Sequence, residues 1–265
     1  SVTPQWTIGT GSLTTTLGDG SDPSNSTVAP GSTNQYLDQF TFVTSSGTDS
    51  VTGLTVTTAN TTAIASMQIC SNDDGCTTPY FTIVESPSGD TWSFSGGTAI
   101  PVSTSSATFR VRFTAKSHAA LAAGMYAVKG KVTSFSCTNS QAGSDTDNTT
   151  ITVDNSPPDN AAWGTITPGN QQIELNWTNP ISDFNKVLIL RRTGAAVEDA
   201  PADGQEYSQG NTIGDSTVRY VGSLQTFTDT GLTNGTAYHY KIFAYDSYIN
   251  YASGAVTGPH TPSVG

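Results

Sequence analysis

Short runs that alternate apolar and polar residues dominate this chain and restrict it to strands. "QFTFVTS" (39–45), "GLTVTTA" (53–59), "YFTIVES" (80–86), "ATFRVRFTA" (107–115), "MYAVKGKVTSF" (125–135) and "NTTITVDN" (148–155) recur at short spacing. A period of two lines one face of an extended backbone, whereas an amphipathic helix needs 3.6. Turn-forming "SSGTDS", "SPSGD" and "SGG" separate the runs. The one helical hint, "SHAALAAG" (117–124), is too short to stand alone and reads as a one- or two-turn crossover. A second series follows Pro157-Pro158: "QIELNWTNP" (172–180), "KVLILRR" (186–192), "VRYVG" (218–222), "TFTDTGL" (226–232), "AYHYKIFAYD" (237–246) and a short strand near "AVTG". The expected fold is all-β, with two tandem antiparallel β-sandwich domains, residues 1–155 and 156–265.

Charge narrows the partners. Only 12% of residues are charged, against ~25% in ordinary globular chains. Residues 1–109 hold eight acids and no Lys or Arg, and the net charge of the chain is −11. Such a surface repels nucleic acid and attracts divalent cations. No apolar run is long enough to span a membrane as a helix. The chain opens on Ser1 rather than Met, which reads as a mature, processed chain. Cys70 and Cys76 bracket the polar turn "SNDDG", a spacing that suits a disulfide-closed loop and an oxidising compartment. Cys137 is left over, either as a buried thiol or as an intermolecular attachment point. Asn-x-Ser/Thr sequons stand at Asn25, Asn60, Asn148, Asn176 and Asn234, of which Asn176 lies inside a strand.

"LNW", a Pro-bearing turn, "KVLILR" and "FTDTGLTNGTAYHYKIFAYD" together resemble a fibronectin type III domain over roughly residues 157–263. The resemblance implies a core Trp on the second strand, here Trp177. It also implies a tyrosine corner at the start of the sixth strand, here Leu232, Gly235, Thr236 and Tyr238, with the Tyr hydroxyl bonded back to the turn. The polar excursion 193–217 departs from the family pattern and is similar to insertions in bacterial secreted versions. Residues 1–155 resemble Ig-like modules that accompany type III domains in bacterial surface proteins.

No nucleophile motif, HExxH or P-loop is present, and Glu85 and Glu206 suggest no partner carboxylate, so an enzyme is not expected. The acidic turns "DGSDPSN" (19–25), "SNDDGC" (71–76) and "GSDTDN" (143–148) crowd oxygen ligands, as ordinary Asx turns also do. The inter-domain linker "VDNSPPDN" has a topological argument behind it. In a type III sandwich the second-to-third and sixth-to-seventh connections return to the pole where the chain enters. That brings Asp183 and Asp246 toward Asp154 and Asn155, a set suited to calcium. "VDNSPP" is also similar to the calcium-rigidified linkers of cadherin-like arrays. The competing reading is a polyproline spacer with solvated acids. Tyr245, Tyr248 and Tyr251 cluster at the last connection, either for sugar stacking or for packing against the first domain.

The segment 1–20 places Val2, Trp6 and Ile8 on even positions. It is the first strand of the first sandwich or a donor strand that completes a neighbour's sheet. The combined expectation is a non-catalytic extracellular structural protein, a subunit of a cell-surface layer, fibre or filamentous appendage. It would self-associate or bind other surface proteins. The alternatives are an adhesin-type or glycan-binding module, or accessory domains of a secreted hydrolase.

Overall fold

The computed structural model describes residues 12–72, 75–77 and 79–264. Val2, Trp6 and Ile8 therefore lie outside the described residues, as do Asp73 and Asp74. Two compact units form. One comprises the residues up to Ser117 with Tyr126–Val153, the other His118–Met125 with Asp154–Gly265. The division falls two residues before Asn155, and the crossover at 118–125 belongs to the second unit. Among the described residues no helix is long and apolar enough to cross a membrane.

The first unit is an Ig-like sandwich whose strands among the described residues are β1 (Thr14–Asp19), β2 (Ser26–Val28), β3 (Gln35–Thr44), β4 (Thr48–Ala59), β5 (Ile64–Ser71), β6 (Pro79–Val84), β7 (Thr91–Ser103), β8 (Ala107–Ala115), β9 (Gly124–Ser136), β10 (Ser140–Gly143) and β11 (Ile151–Asn155). One sheet has the order β10-β1-β3-β8-β5-β6 and the other β2-β11-β9-β4-β7. Their inner faces bury Phe40, Phe42, Trp92, Phe94, Ile69 and Phe113. Phe40 and Phe42 meet edge to face with centroids 5.6 Å apart, a geometry favoured by the ring quadrupoles.

Two pairings depart from an all-antiparallel expectation. β1 runs parallel to β10, and β2 runs parallel to β11. The N-terminal stretch is thus divided between the sheets, each piece lying beside a strand from the end of the unit. β1 also pairs antiparallel with β3, so residues 15–17 have neighbours on both sides within their own chain. That part of the 1–20 segment is an internal strand and is not free to add to another sheet.

β7 corrects the reading of "SGG" as a turn. Gly96 and Gly97 sit at φ +72° and +65° inside the strand, which pairs with β4 on both sides of them. A Cβ on Gly97 would come 2.8 Å from the Phe81 carbonyl carbon, so only glycine fits this bulge.

Asp49 ties β1 to β4 and to the 137–139 turn. It accepts hydrogen bonds from the Thr15 hydroxyl (2.5 Å) and the amides of Ser50 (2.8 Å), Thr138 (3.2 Å) and Asn139 (3.3 Å). Burial raises its carboxyl, but bonds from Thr15, Ser50, Asn139 and Cys137 more than offset this and bring it down to about 2. A depressed carboxylate contributes stability above its unfolded value of ~3.9 and loses it as pH falls toward about 2. Asp49→Asn is therefore expected to cost about 2 kcal/mol at neutral pH and far less near the acid limit. Urea midpoints at both pH values check this, and equal losses would assign the effect to shape rather than charge.

The second unit is a type III-like sandwich. One sheet contains β12 (Ala162–Gly169), β13 (Gln172–Thr178) and β17 (Thr226–Thr230). The other has the order β15 (Thr212–Ile213), β16 (Ser216–Gly222), β14 (Lys186–Thr193), β18 (Tyr238–Tyr245), β19 (Ala255–His260). The excursion 193–217 is more than a polar loop. Val197, with Tyr207 and Ile213, packs on Leu188, Leu190, Val218 and Phe243 and covers the outer face of the larger sheet. β14 and β18 are consequently buried on both faces, which accounts for their continuous apolar runs "VLIL" and "IFAY".

The structural signature lies where the resemblance placed it. Trp177 and Leu232 are buried in the core between the sheets, and Gly235 turns at φ +80°. The Tyr238 hydroxyl accepts the Thr233 amide at 3.0 Å, closing the tyrosine corner. Asp229 of β17 is fully buried and crosses to the other sheet. It accepts Arg191 Nη1 (3.0 Å), Arg219 Nε and Nη2 (2.9 and 2.7 Å) and the Tyr240 hydroxyl (3.0 Å).

Candidate metal centre

β13 and β14 are joined at one end of the second sandwich, and β18 and β19 are joined at the same end. Asp183 lies in the first connection and Asp246 in the second, and Asp154 stands where the chain enters this unit. One carboxylate oxygen from each of the three lies within 4.8 Å of the others. Asp154 and Asp246 are buried and Asp183 is exposed.

The local backbone explains the placement. Asp183 adopts a left-handed φ of +55°, which a short polar side chain tolerates. Asp246 Oδ1 accepts the amides of Tyr248 and Asn250, each at 2.9 Å, so the turn winds around its carboxylate. Asn250 Nδ2 donates to Asp246 Oδ2 (2.7 Å) and to the Asp154 carbonyl (3.0 Å), joining the entering chain to the turn. The Ser156 amide fixes Asp154 Oδ1 at 2.9 Å. Asn250 is 2% exposed, and its Oδ1 meets no donor among the described residues. Burial raises the Asp154 carboxyl, aided by the Asp246 charge and opposed by the Ser156 amide. Burial also raises Asp183, with added repulsion from Asp154 and Asp246. The result is a compact set of hard oxygen donors carrying excess negative charge, the ligand chemistry of calcium rather than of zinc.

Asn155 is not part of this set. Its Oδ1 meets His118 Nδ1 at 2.9 Å, and its Nδ2 donates to the carbonyls of Leu121 (3.2 Å) and Ala122 (3.0 Å). Both ends of this amide fasten the 118–125 crossover. Asn250, which "DSYINY" brings to this end of the sandwich with Asp246, binds Asp246 and the Asp154 carbonyl through its Nδ2. It follows Asp246 by four residues, a spacing that lets one turn return on itself.

Two of the three tyrosines pack inside the second sandwich. Tyr245 and Tyr251 are each 8% exposed, with ring centroids 4.8 Å apart, and Tyr251 donates to the Gln205 carbonyl at 2.9 Å. They hold the 193–217 excursion onto its own sheet. Cys70 and Cys76 form a disulfide with Cα atoms 5.3 Å apart. Cys137 is free and half-buried, and burial followed by the Asp49 charge pushes its thiol up, so it is a poor thiolate.

No protein-family model and no curated protein matches the chain. Among solved structures it is similar to domains A168-A170 from titin, with 9% identity, a TM-score of 0.35, and coverage of 93% of this chain and 65% of that one. Similarity to the FN1-FN3 domains of chicken CNTN1 is 10% in identity with a TM-score of 0.34, covering 94% and 67%. A beta-1,2-glucanase from Parabacteroides distasonis matches at 14% identity and a TM-score of 0.27, covering 88% and 34%. The chain thus spans less than two thirds of the titin and glucanase chains. Its strands build an Ig-like sandwich followed by a fibronectin type III-like sandwich.

Proposed function

We propose that this chain is a non-catalytic extracellular structural module of the bacterial cell-surface kind, with calcium held by Asp154, Asp183, Asp246 and Asn250. The observation that supports this reading is the convergence of three carboxylates from separate segments, two of them tied by Asn250, whose own Oδ1 is buried and meets no donor among the described residues. Leaving such a group without a partner costs about 1–3 kcal/mol, and a bound cation removes that cost. Extracellular calcium modules bind at ~10⁻⁴–10⁻³ M, concentrations met outside cells and not in the cytosol. The Cys70–Cys76 disulfide asks for the same oxidising surroundings. Two unrelated features therefore favour one compartment.

In this reading the module serves a surface layer, fibre or appendage, by self-association or with other surface proteins. Val2, Trp6 and Ile8 would supply a strand to a neighbouring copy. Electron microscopy and light scattering of native material test the assembly: ordered polymers that vanish when residues 1–11 are deleted are expected. A monomer at all concentrations would reject it. Glycan binding that survives this deletion would favour the adhesin reading.

The calcium site has its own readout. Calcium at ten to a hundred times its Kd is expected to raise the melting temperature of the second sandwich through about 1–3 kcal/mol of linkage. Asp246→Asn abolishes that gain. Melting curves that coincide in chelator and in millimolar calcium would refute the site.

A further inference from the structure

In the second sandwich a cleft of about 580 Å³ opens at the edge of β16. It begins where a ladder ends. β15 pairs with β16 at Ser216 and Thr217, and the backbone of Gly210 and Asn211 continues the pairing to Val218. Beyond that point Tyr220, Val221 and Gly222 pair only with β14 among the described residues. Residues 206–209 line the opening together with Tyr220, Val221 and Phe227. Tyr220 packs on the core between the sheets and Val221 on the outer cluster, so the cleft takes in both faces of β16.

The rings of the cleft are held in place. Tyr220 has Trp177 and Phe227 as ring neighbours, with centroids 5.4 and 5.3 Å away, and its hydroxyl accepts the Leu224 amide at 3.0 Å. The Tyr207 hydroxyl accepts the Ala202 amide at 3.2 Å. Tyr207, Tyr220 and Phe227 are half-buried, each with part of its surface left in water. Rings fixed in this way lose little freedom when a ligand arrives. Beside them stand Lys186, Glu206 and Gln209, exposed and with no side-chain hydrogen bond or ion pair among the described residues. Burial raises the Tyr245 phenol and the Glu206 charge adds to this, which sets that carboxylate close to the Tyr245 wall.

We propose that this cleft binds a short neutral oligosaccharide. Its volume falls within the ~300–1,000 Å³ of small-ligand sites. A sugar ring offers a C–H face to the negative face of an aromatic ring, and hydroxyls around its rim that both donate and accept. Lys186 can only donate, ionised Glu206 can only accept and Gln209 does both, so hydroxyls answer all three. A free anion would meet Glu206 on a chain of net charge −11, and a free cation would meet Lys186. A fully apolar ligand would strip water from both charges and replace it with nothing. A peptide strand is held mainly by a main-chain ladder, and the free edge from Tyr220 to Gly222 is too short to supply one. Sugar stacking thereby passes from Tyr245 and Tyr251, each 8% exposed, to Tyr207, Tyr220 and Phe227. The cleft uses neither residues 1–11 nor the carboxylates of the metal centre, so it goes beyond the structural reading and fails separately from it.

The full chain, in millimolar calcium and again in chelator, is applied to an array of immobilised neutral oligosaccharides built from glucose, galactose, mannose and N-acetylglucosamine. Calorimetry with the free trisaccharide of the strongest signal then gives a Kd. Lys186→Gln and Glu206→Gln are each expected to weaken binding about tenfold, the worth of one hydrogen bond to a charged group. Both side chains are exposed and unpaired, so their melting curves should match wild type. Phe227→Leu keeps apolar bulk, loses the ring and is expected to weaken binding by at least as much. No signal on the array in either condition overturns the proposal. So does a bound sugar whose Kd is the same in Lys186→Gln and Glu206→Gln, whatever becomes of Phe227→Leu. Capture of extended peptides from a display library, lost in these variants and without any sugar signal, overturns the ligand class and assigns the cleft to peptides.

Discussion

Asp229→Asn is expected to destabilise the second sandwich by about 3 kcal/mol. The carboxylate is 0% exposed on the core face of β17, opposite Ile173 in the ladder. All its donors come from the other sheet: Arg191 on β14, Arg219 on β16 and Tyr240 on β18. It therefore works as an ionic bolt between sheets otherwise held by apolar packing. An amide of the same shape still accepts Arg219 on its oxygen. Its NH₂ then points at Arg191 Nη1, donor against donor, the Tyr240 hydroxyl must turn to accept from it, and two guanidiniums lose their counter-charge. Their side chains are 20% and 22% exposed, so water softens the loss toward the lower end of the 3–5 kcal/mol typical of a broken buried pair. Hydrogen exchange read peptide by peptide keeps the two units apart. It should show faster exchange across β14, β16 and β18 with the first sandwich unchanged. A cost below about 1 kcal/mol would mean that the network is incidental to stability.

Trp92→Ala should cost the first sandwich about 3–5 kcal/mol. Trp92 is the largest fully buried side chain among the described residues, and its Nε1 donates to Thr58 Oγ1 at 3.0 Å. Truncation leaves a cavity in a close-packed interior and strips a buried hydroxyl of its donor. Trp92→Phe separates the two effects, since it keeps most of the volume and loses only the hydrogen bond, with an expected cost of about 1–2 kcal/mol. If Trp92→Ala and Trp92→Phe were equally destabilising, the hydrogen bond and not the packing would hold this region. Unfolding followed by exchange in β4 and β7 gives both numbers.

The legibility of the sequence followed a simple physical line. β8 occupies Ala107–Ala115, the span its alternation marks, because an uninterrupted central strand must show its two faces in its residues. β7 and β12 escaped because glycine and proline inside a strand look like turns; one holds the Gly96-Gly97 bulge, the other Gly164 and Pro168. The carboxylates of the second sandwich were legible because strand alternation alone says which connections share a pole. Asn155 was misplaced because neighbours in sequence point in different directions on extended backbone. Asp38 was illegible for the opposite reason. It is fully buried on β3, and the carboxyl that meets it from far along the chain, Asp145, follows β10, which reaches this sheet through the parallel pairing with β1. The one local signal was an acid set among apolar residues in "YLDQF".

Those parallel pairings also dictate a timetable. Thr14–Leu17 find their partners at Ser140–Gly143, and Ser26–Val28 find theirs at Ile151–Val153. Whether the chain leaves a ribosome or threads through an export pore, its first strands emerge long before the residues that complete their sheets. Closure of the first sandwich waits for residue 153, whereas the second sandwich needs nothing from strands made so much earlier. Non-local pairing of this kind is slow, and open strand edges invite wrong partners while it proceeds. A leading segment of 109 residues that carries eight negative charges and no positive ones is well suited to that interval, since emerging copies repel one another until the last strand arrives.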